Sequence, residues 1–384
     1  MKSGFWIVAA TFLVAMAFST VPTPLWPLYQ AEDGFPTSMV TVAFSAYAVG
    51  VLISLFLAGH VSDWVGRRRV LLPGVLLEVV SATLFLTSHQ LPVLIVARVI
   101  GGLGVGLITA TATAHLSDLA KNAGIKHAAH VATAANLGGL GVGPLVSGFL
   151  VQYVGGPLTT GYAIFLGLLV LCVLGIAFVP ETVAATPRRY RPQRVSVPAS
   201  ARRQYLTVAA GAFAAFALFG LFTSLTPKLL AVSVGTTSAL LSGAVSCVVF
   251  LFGVVAQLWS GRLDPDRQLS VGVGLLVAGV AVLLAGGMAG SLVLFVAGGA
   301  LSGAGAGLLF KAAMGSATRL ADPAAKGEAA AGIFLAGYLG LTVPIMGLGA
   351  AARYVSLTTG LTAFCVVILA VLAGVGLQLR ALRA

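Results

Sequence analysis

The sequence predicts an all-α membrane protein of twelve transmembrane helices, arranged as two six-helix bundles related by a parallel pseudo-twofold repeat. Three observations predict it. Of 384 residues, 59% are hydrophobic and 8% are charged, a balance that no water-soluble core of plausible size accommodates. The apolar residues fall into stretches of the ~20 helical residues that a ~30 Å hydrocarbon layer requires. The chain also matches itself at an offset of about 201 residues.

Short polar breaks delimit spans at 4–29, 38–60, 70–88, 91–116, 126–153, 160–179, 204–230, 237–260, 269–288, 291–316, 328–351 and 358–379. Barrel strands would alternate apolar and polar residues, whereas runs such as LTAFCVVILAVLAGVGL are apolar all round, which selects helices. The 48 glycines suit helices that approach closely. Cys172, Cys247 and Cys365 fall in separate spans without CxxC spacing, as small packing residues rather than a disulfide or metal set. The start MKSGFWIVAATFLVAMA has the look of a secretory signal, with Ala15-Met16-Ala17 as a cleavage site. Cleavage would leave an unpaired helix, so an uncleaved first span is expected.

Charge sets the expected orientation. With the N-terminus placed inside, the inner segments hold Lys2, Arg67, Arg68, Arg69, Lys121, Lys126, Arg188, Arg189, Arg191, Arg194, Arg202, Arg203, Arg262, Arg267, Arg319, Lys326, Arg380 and Arg383, which is 18 of the 22 Lys and Arg. Lys228 and Arg353 fall near the outside, and Arg98 and Lys311 lie within spans. Both termini are therefore expected in the cytoplasm, in a cell inner membrane. The longest polar segment, 181–203, separates an N-terminal bundle (1–180) from a C-terminal bundle (204–384). Its arginines are suited to an anionic leaflet, at about 1 kcal/mol each. No aromatic platform or folded basic module accompanies them, so nucleic acid is not an expected partner.

In the repeat, Gly102, Gly104, Gly106 and Leu107 align with Gly303, Gly305, Gly307 and Leu308, and Gly139-Leu140 aligns with Gly340-Leu341. Pro144 matches Pro344 at an offset of 200. Parallel repeats about an axis along the membrane normal place a binding cavity between the halves and work by rocking one against the other.

The loop after span 2, Gly59-His60-Val61-Ser62-Asp63-Trp64-Val65-Gly66-Arg67-Arg68-Arg69, resembles the G-x-x-x-D-x-x-G-R-[RK]-[RK] signature of the major facilitator superfamily of secondary transporters. The resemblance covers the whole chain. It implies that Asp63 and the arginines form a cytoplasmic latch, with Gly59 and Gly66 framing the loop and Glu181, in the span-6 ending Pro180-Glu181-Thr182, joining the network. Asp63 at a helix C-terminus and the arginines at a helix N-terminus each oppose their own dipole and need other partners; alternatively the arginines only fix topology. The second-half loop, Ser260 to Arg267, lacks the full glycine frame. Arg98-x-x-x-Gly102 resembles the span-4 motif whose Arg is implicated in proton coupling in antiporters. Gly139-x-x-x-Gly143-Pro144-x-x-x-Gly148 in span 5 resembles the motif of drug:proton antiporters, with a kink available at Pro144. Ordinary glycine packing is the other reading.

Among the remaining ionisable groups, Glu78 sits at the middle of span 3, flanked by LLPGVLL and VVSATLF. A lone carboxylate there is held neutral unless it meets a cation, which suits either a proton carrier or a protonated acid that is structural or lipid-facing. Arg98 is the candidate cation. It faces a wet cavity or carboxylate, or snorkels; its repeat partner is Gly299. Glu32 and Asp33, beyond Pro22, Pro24 and Pro27, are either solvated loop charges or a proton or cation vestibule. Lys228 is a rim charge or a cavity cation, and Lys311 snorkels. Trp26, Tyr29, Phe44 and Tyr47 line an aromatic cavity or form the interfacial belt. His130, Asn136 and Gln257 contact substrate or hydrogen-bond between helices. His60-x-x-Asp63 and His115-x-x-Asp118 have a metal-compatible spacing but no evident third ligand, and no metal is expected. No Walker, GxSxG or HExxH pattern is present, so neither an enzyme nor a cofactor is expected. The expectation is a monomeric secondary transporter that exports a small amphipathic or hydrophobic compound by proton antiport. The alternative is a proton-coupled importer of a sugar or other small metabolite.

Overall fold

The computed structural model describes residues 1–187, 189–197, 199–322 and 325–381. Arg188 and Arg383, counted above among the inner charges, lie outside the described residues. Among those described, twelve helices are long and apolar enough to cross a membrane: Lys2–Asp33, Thr37–Ala58, Arg67–Thr87, Leu91–Ala123, Ala128–Tyr153, Thr160–Ala177, Ala199–Ser224, Ala239–Arg262, Pro265–Ala289, Leu292–Leu320, Lys326–Ala351 and Leu357–Ala381. They are spans 1 to 12 below. Spans 4 and 10 run longer than their apolar runs, to Ala123 and Leu320, because the polar turns at their ends keep helical hydrogen bonds after hydropathy has ended.

The chain divides into two units, Met1–Phe35 with Ala46–Gln193, and Pro36–Ser45 with Arg194–Ala384. This differs from a boundary at residue 180 in two respects. Thr186, Tyr190 and Gln193 lie against the end of span 2 and the loop after it: Thr186 N donates to Trp64 O at 3.0 Å, Gln193 N to Phe56 O at 2.8 Å, and the Tyr190 hydroxyl to Leu57 O at 2.9 Å. The first turns of span 2 belong to the second unit, where Arg353 Nε and Nη2 donate to Ser38 Oγ at 3.0 and 2.8 Å.

Glycine sets the packing within each unit. A Cβ on Gly102 (span 4) would lie 2.1 Å from the Tyr47 carbonyl of span 2, and one on Gly303 (span 10) 2.0 Å from the Val249 carbonyl of span 8. A Cβ on Gly139 (span 5) would lie 2.6 Å from Leu13 O, and one on Gly340 (span 11) 2.0 Å from Phe213 O. The sequence repeat is thus a repeat of backbone-to-backbone helix crossings that no larger side chain permits.

Both units also break their first span. Span 1 runs as α-helix over Lys2–Thr20, a 3-10 turn over Thr23–Leu25 and a second α-helix over Trp26–Asp33. Span 7 breaks after Ser224 and resumes as a helix over Thr226–Ser233. Pro22 and Pro24 in the first case, and Pro227 in the second, remove backbone donors at the break. Other donors take up the loss: Val21 N donates to Phe18 O at 3.1 Å in span 1, and in span 7 Thr226 Oγ1 and Ser246 Oγ donate to Phe222 O at 2.7 and 2.9 Å. The irregular backbone is therefore about one turn long.

Candidate functional site

The loop between spans 2 and 3 forms a charge cluster within the first unit. Arg67, 11% exposed, places Nη1 2.5 Å from Asp63 Oδ1 and Nε 3.0 Å from Asp118 Oδ2, and Nη1 also donates to Ser62 Oγ. Glu181 approaches from beyond span 6. Its Oε1 accepts from Arg67 N at 2.7 Å, Thr182 N at 2.9 Å and Val183 N at 3.2 Å, and its Oε2 from Arg68 N at 3.0 Å. Glu181 thus caps the N-terminus of span 3, where unpaired amides and the helix dipole favour an anion. Arg68 turns to the C-terminal carbonyls of span 6, Ala177 O and Val179 O, at 3.2 and 3.3 Å. Arg69 is exposed and makes no ion pair among the described residues, so the triplet expected to act together divides. Gly59 closes the last turn of span 2 on Leu55 O. Asp118, noted in the sequence only for its spacing from His115, proves to be an Arg67 partner, and His115 Nε2 lies 3.2 Å from Pro180 O.

Gly66 is needed here. Its φ is +122°, and a Cβ would meet Glu181 Oε2 at 2.5 Å. Burial alone would raise the Glu181 carboxyl, but its backbone hydrogen bonds from Arg67, Val183, Thr182 and Arg68 hold it below the ordinary value near 4.5. A carboxylate with a lowered folded value contributes stability above its unfolded value and loses it as the pH falls towards the folded one. Thermal melts of detergent-solubilised protein are therefore expected to weaken below about pH 4.5, with the loss blunted in Glu181→Gln. A wild-type midpoint that stays flat across this window would contradict the assignment.

Span 5 rests on span 1 through its glycines. A Cβ on Gly143 would lie 2.0 Å from Ala17 O and 2.4 Å from Thr20 Oγ1; Gly148 is buried further along the same helix. Pro144 lies inside the helix and cannot donate to Leu140 O; the Thr20 hydroxyl reaches that carbonyl at 3.1 Å, sharing its one proton between it and Ala17 O of its own helix, also at 3.1 Å. Thr20→Val keeps the shape and removes the donor. It is expected to cost about 1–3 kcal/mol, the penalty of a stranded buried acceptor, seen as a lowered melting midpoint that Thr20→Ser largely restores.

Deeper in the unit, Glu78 is 0% exposed, which overturns the lipid-facing reading. It points at the glycine face of span 4: a Cβ on Gly104 would lie 2.8 Å from Oε1 and one on Gly101 3.7 Å from Oε2. Neither oxygen makes a conventional hydrogen bond, although Arg98 and the Val105 amide lie within electrostatic reach. Arg98, 5% exposed, does not snorkel. Its Nη1 donates to Ser19 O at 2.6 Å, the carbonyl freed by the break in span 1, and its guanidinium lies 4.4 Å from the Tyr47 ring centre. The second unit solves the same problem without charge. Gly299 stands where Arg98 would fall, its missing Cβ facing Phe222 Cζ at 3.1 Å, and Ser246 serves the Phe222 carbonyl.

The remaining candidates disperse. Trp26 and Tyr29 are 2% and 0% exposed and pack on each other, and Tyr47 is taken up by Arg98, so these three are enclosed rather than at a belt. The Tyr29 hydroxyl faces that of Tyr162 without closing a conventional hydrogen bond. Glu32 Oε1 lies 2.9 Å from His89 Nδ1, and Asp33 Oδ2 accepts from Leu91 N at 2.8 Å at the start of span 4. With Thr87, Gln90 and Thr159 they border an open pocket of about 430 Å³. In the second unit Lys311 Nζ donates to Gln257 O at 2.6 Å and Ser260 Oγ at 3.0 Å, so Lys311 is held by the end of span 8 and Gln257 acts through its backbone. Asn136 is half-buried in span 5, and Lys228 is exposed. Tyr162, Ser19 and His89 went unnoticed in the sequence; an intramembrane tyrosine beside Thr160 was the available signal.

Comparison with known proteins agrees with this architecture. The Major Facilitator Superfamily profile matches residues 7–343. The quinolone resistance protein NorA of Staphylococcus aureus (strain Mu50 / ATCC 700699) is 26% identical over 142 residues, 37% of this chain and 36% of that protein. The arabinose-proton symporter of Bacillus subtilis (strain 168) is 32% identical over 82 residues, 21% of this chain and 18% of that one. The chain thus spans about a third or less of the length of these curated relatives. The crystal structure of the human organic anion transporter MFSD10 (TETRAN) superposes with a TM-score of 0.71 over 98% of this chain and 99% of that chain, at 18% identity. With twelve apolar helices, a glycine-built repeat and a profile covering most of its length, this chain is a multi-pass membrane transporter, not an enzyme, and belongs to the Major Facilitator Superfamily.

Proposed function

We propose that the chain exports a small amphipathic or hydrophobic compound in exchange for protons, across a cytoplasmic membrane with both termini inside, by alternating access between its two repeats. The observation that carries the reading is Glu78: a fully buried carboxyl in no ion pair among the described residues, within the electrostatic reach of buried Arg98 and of the Val105 amide. An ion of this size costs several kcal/mol to bury unpaired, so a group that alternates between its neutral form and the Arg98-facing ionised form is suited to carrying one proton per cycle. The Gly139-Gly143-Pro144 stretch, which resembles the motif of drug:proton antiporters, supports the reading, with Thr20 reaching the carbonyl that Pro144 leaves without a helical bond. The partial likeness to a quinolone resistance protein supports efflux. Arginines at 189–203 stand by an anionic leaflet, and the unit of function is the monomer.

The likeness to an arabinose-proton symporter favours a second reading, import of a sugar with protons. Proteoliposomes with an imposed pH gradient separate the two. The expected result is gradient-driven movement of ethidium, abolished when nigericin collapses the gradient. Ethidium movement indifferent to the gradient would sink proton antiport, and gradient-driven accumulation of labelled arabinose would replace it with import.

A further inference from the structure

We propose that Tyr29 and Tyr162 form a proton passage that joins the Glu32–His89 pocket to Glu78 within the first unit, separate from the path of the transported compound. The inference rests on the reading of Glu78 as proton carrier and assigns the side from which its proton is exchanged.

The pocket end is built for proton exchange with water. His89 and Glu32 form a partly exposed pair at 2.9 Å, 26% and 52% exposed, while Asp33 is committed to the Leu91 amide. The Tyr29 ring stands edge-on to the His89 ring, 5.8 Å between centres. From there inward the wall is apolar: Tyr162 stacks on Phe85 at 4.7 Å and meets the edge of Phe18 at 6.4 Å. Two hydroxyls cross that wall. Tyr29 and Tyr162 are each 0% exposed, face one another, and make no conventional hydrogen bond. Each hydroxyl has the other as its polar neighbour without closing to ordinary hydrogen-bond length, and such a gap between two buried hydroxyls is one that a transient water bridges. Phenylalanine would fill both positions without such a gap, so packing alone does not account for tyrosine.

Tyr162 lies in turn within the field of Arg98, which shares its field with Glu78. Phe85, under the Tyr162 ring, is seven residues from Glu78 on the same helix, about 10 Å along its axis. Ser81 lies between them and donates to Ala97 O at 2.8 Å. The charged and titratable groups facing the two ends are Arg98 and Tyr47 at Glu78, and Glu32, Tyr29 and the lining Asp33 at His89.

The transfer balances as one proton moved. A proton from pocket water enters at the His89–Glu32 pair, which passes one on inward and ends unchanged, and each tyrosine oxygen accepts a proton on one side while giving its own to water on the other. The last water in the chain protonates the Glu78 carboxylate. Both phenols end as they began, and the Arg98 guanidinium keeps its protons throughout.

The test uses the full chain in proteoliposomes, following gradient-driven ethidium transport against the pH on the pocket side. Wild type, Glu78→Gln, Tyr162→Phe and His89→Gln are compared. Tyr162→Phe keeps the ring and both stacks, so a melting midpoint no lower than that of wild type is the folding control. The expected result is a fall of about tenfold in the maximal proton-driven rate, short of the ~100-fold that loss of a positioned proton-transfer group costs where no water substitutes. A displaced pH profile and an unchanged half-saturating ethidium concentration are expected with it, and His89→Gln moves the same profile. If Glu78→Gln retains gradient-driven transport, the proton-carrier reading itself falls. If Glu78→Gln abolishes transport but Tyr162→Phe keeps the wild-type rate and profile, the passage is overturned and the carrier stands. A Tyr162→Phe variant altered only in half-saturating concentration would assign Tyr162 to the compound's path and likewise overturn the passage.

Discussion

Glu78→Gln is expected to lose pH-gradient-driven transport by about 100-fold or more, the scale of removing a positioned proton-transfer group, while its melting midpoint stays near that of wild type. The amide has the carboxyl's shape and leaves the glycine cradle of span 4 filled, but it binds no exchangeable proton at this site. The packing around residue 78 is unchanged, since neither oxygen makes a conventional hydrogen bond in the parent chain. Gly104→Ala attacks the same site from the opposite side. Its Cβ would meet Glu78 Oε1 at 2.8 Å and the Gly74 carbonyl at 2.8 Å, so it displaces the carboxyl and strains the contact of spans 3 and 4 together. Initial rates in proteoliposomes, read beside thermal melts, distinguish these effects. Retention of gradient-driven transport by Glu78→Gln would remove Glu78 from the mechanism.

Gly102→Ala and Gly303→Ala are each expected to destabilise the protein by about 1–3 kcal/mol, the cost of overpacking a well-filled interior. Their missing Cβ atoms lie 2.1 and 2.0 Å from backbone carbonyls of spans 2 and 8. A backbone cannot swing aside as a flexible side chain does, so the helices themselves must part. Gly138 and Gly315 supply the contrast, because nothing lies within 4 Å of a Cβ at either. There alanine is expected to be neutral or stabilising by up to ~1 kcal/mol, through helix propensity alone. Melting midpoints of the four variants in detergent and lipid would show this division. Equal losses at all four would mean that helix contacts do not depend on glycine here.

Much of the candidate site was legible along the chain. Arg67 stood out as a cation at a helix N-terminus and Glu181 through the resemblance of its span-6 ending, and Glu78 and Arg98 because ionisable groups in apolar runs need a reason; Asp63, read as ending a helix, instead lies in the first turn of the short helix Ser62–Val65. Their partners were not legible. Asp118 and Glu181 reach Arg67 from 51 and 114 residues away, and spacing along one helix holds no information about such contacts. Arg69 resembles Arg67 in sequence, yet one turns inward and the other to the surface, because a helix presents adjacent residues about 100° apart. Tyr162 and Thr20 escaped notice because a single hydroxyl in an apolar run is chemically unremarkable until its neighbours are known.

By itself the sequence determined the solvent, the number of helices and the two-fold repeat, since hydrophobic length and glycine spacing are local properties that the bilayer and the helix period translate directly into structure. Only the tertiary structure decided that Glu78 faces a glycine cradle rather than lipid, that Arg98 closes the break in span 1, and that Thr20 supplies the donor Pro144 lacks. Each of these is a pairing of polar groups between helices, and in a low-dielectric interior such pairings follow from which helix faces meet, a property no single segment possesses.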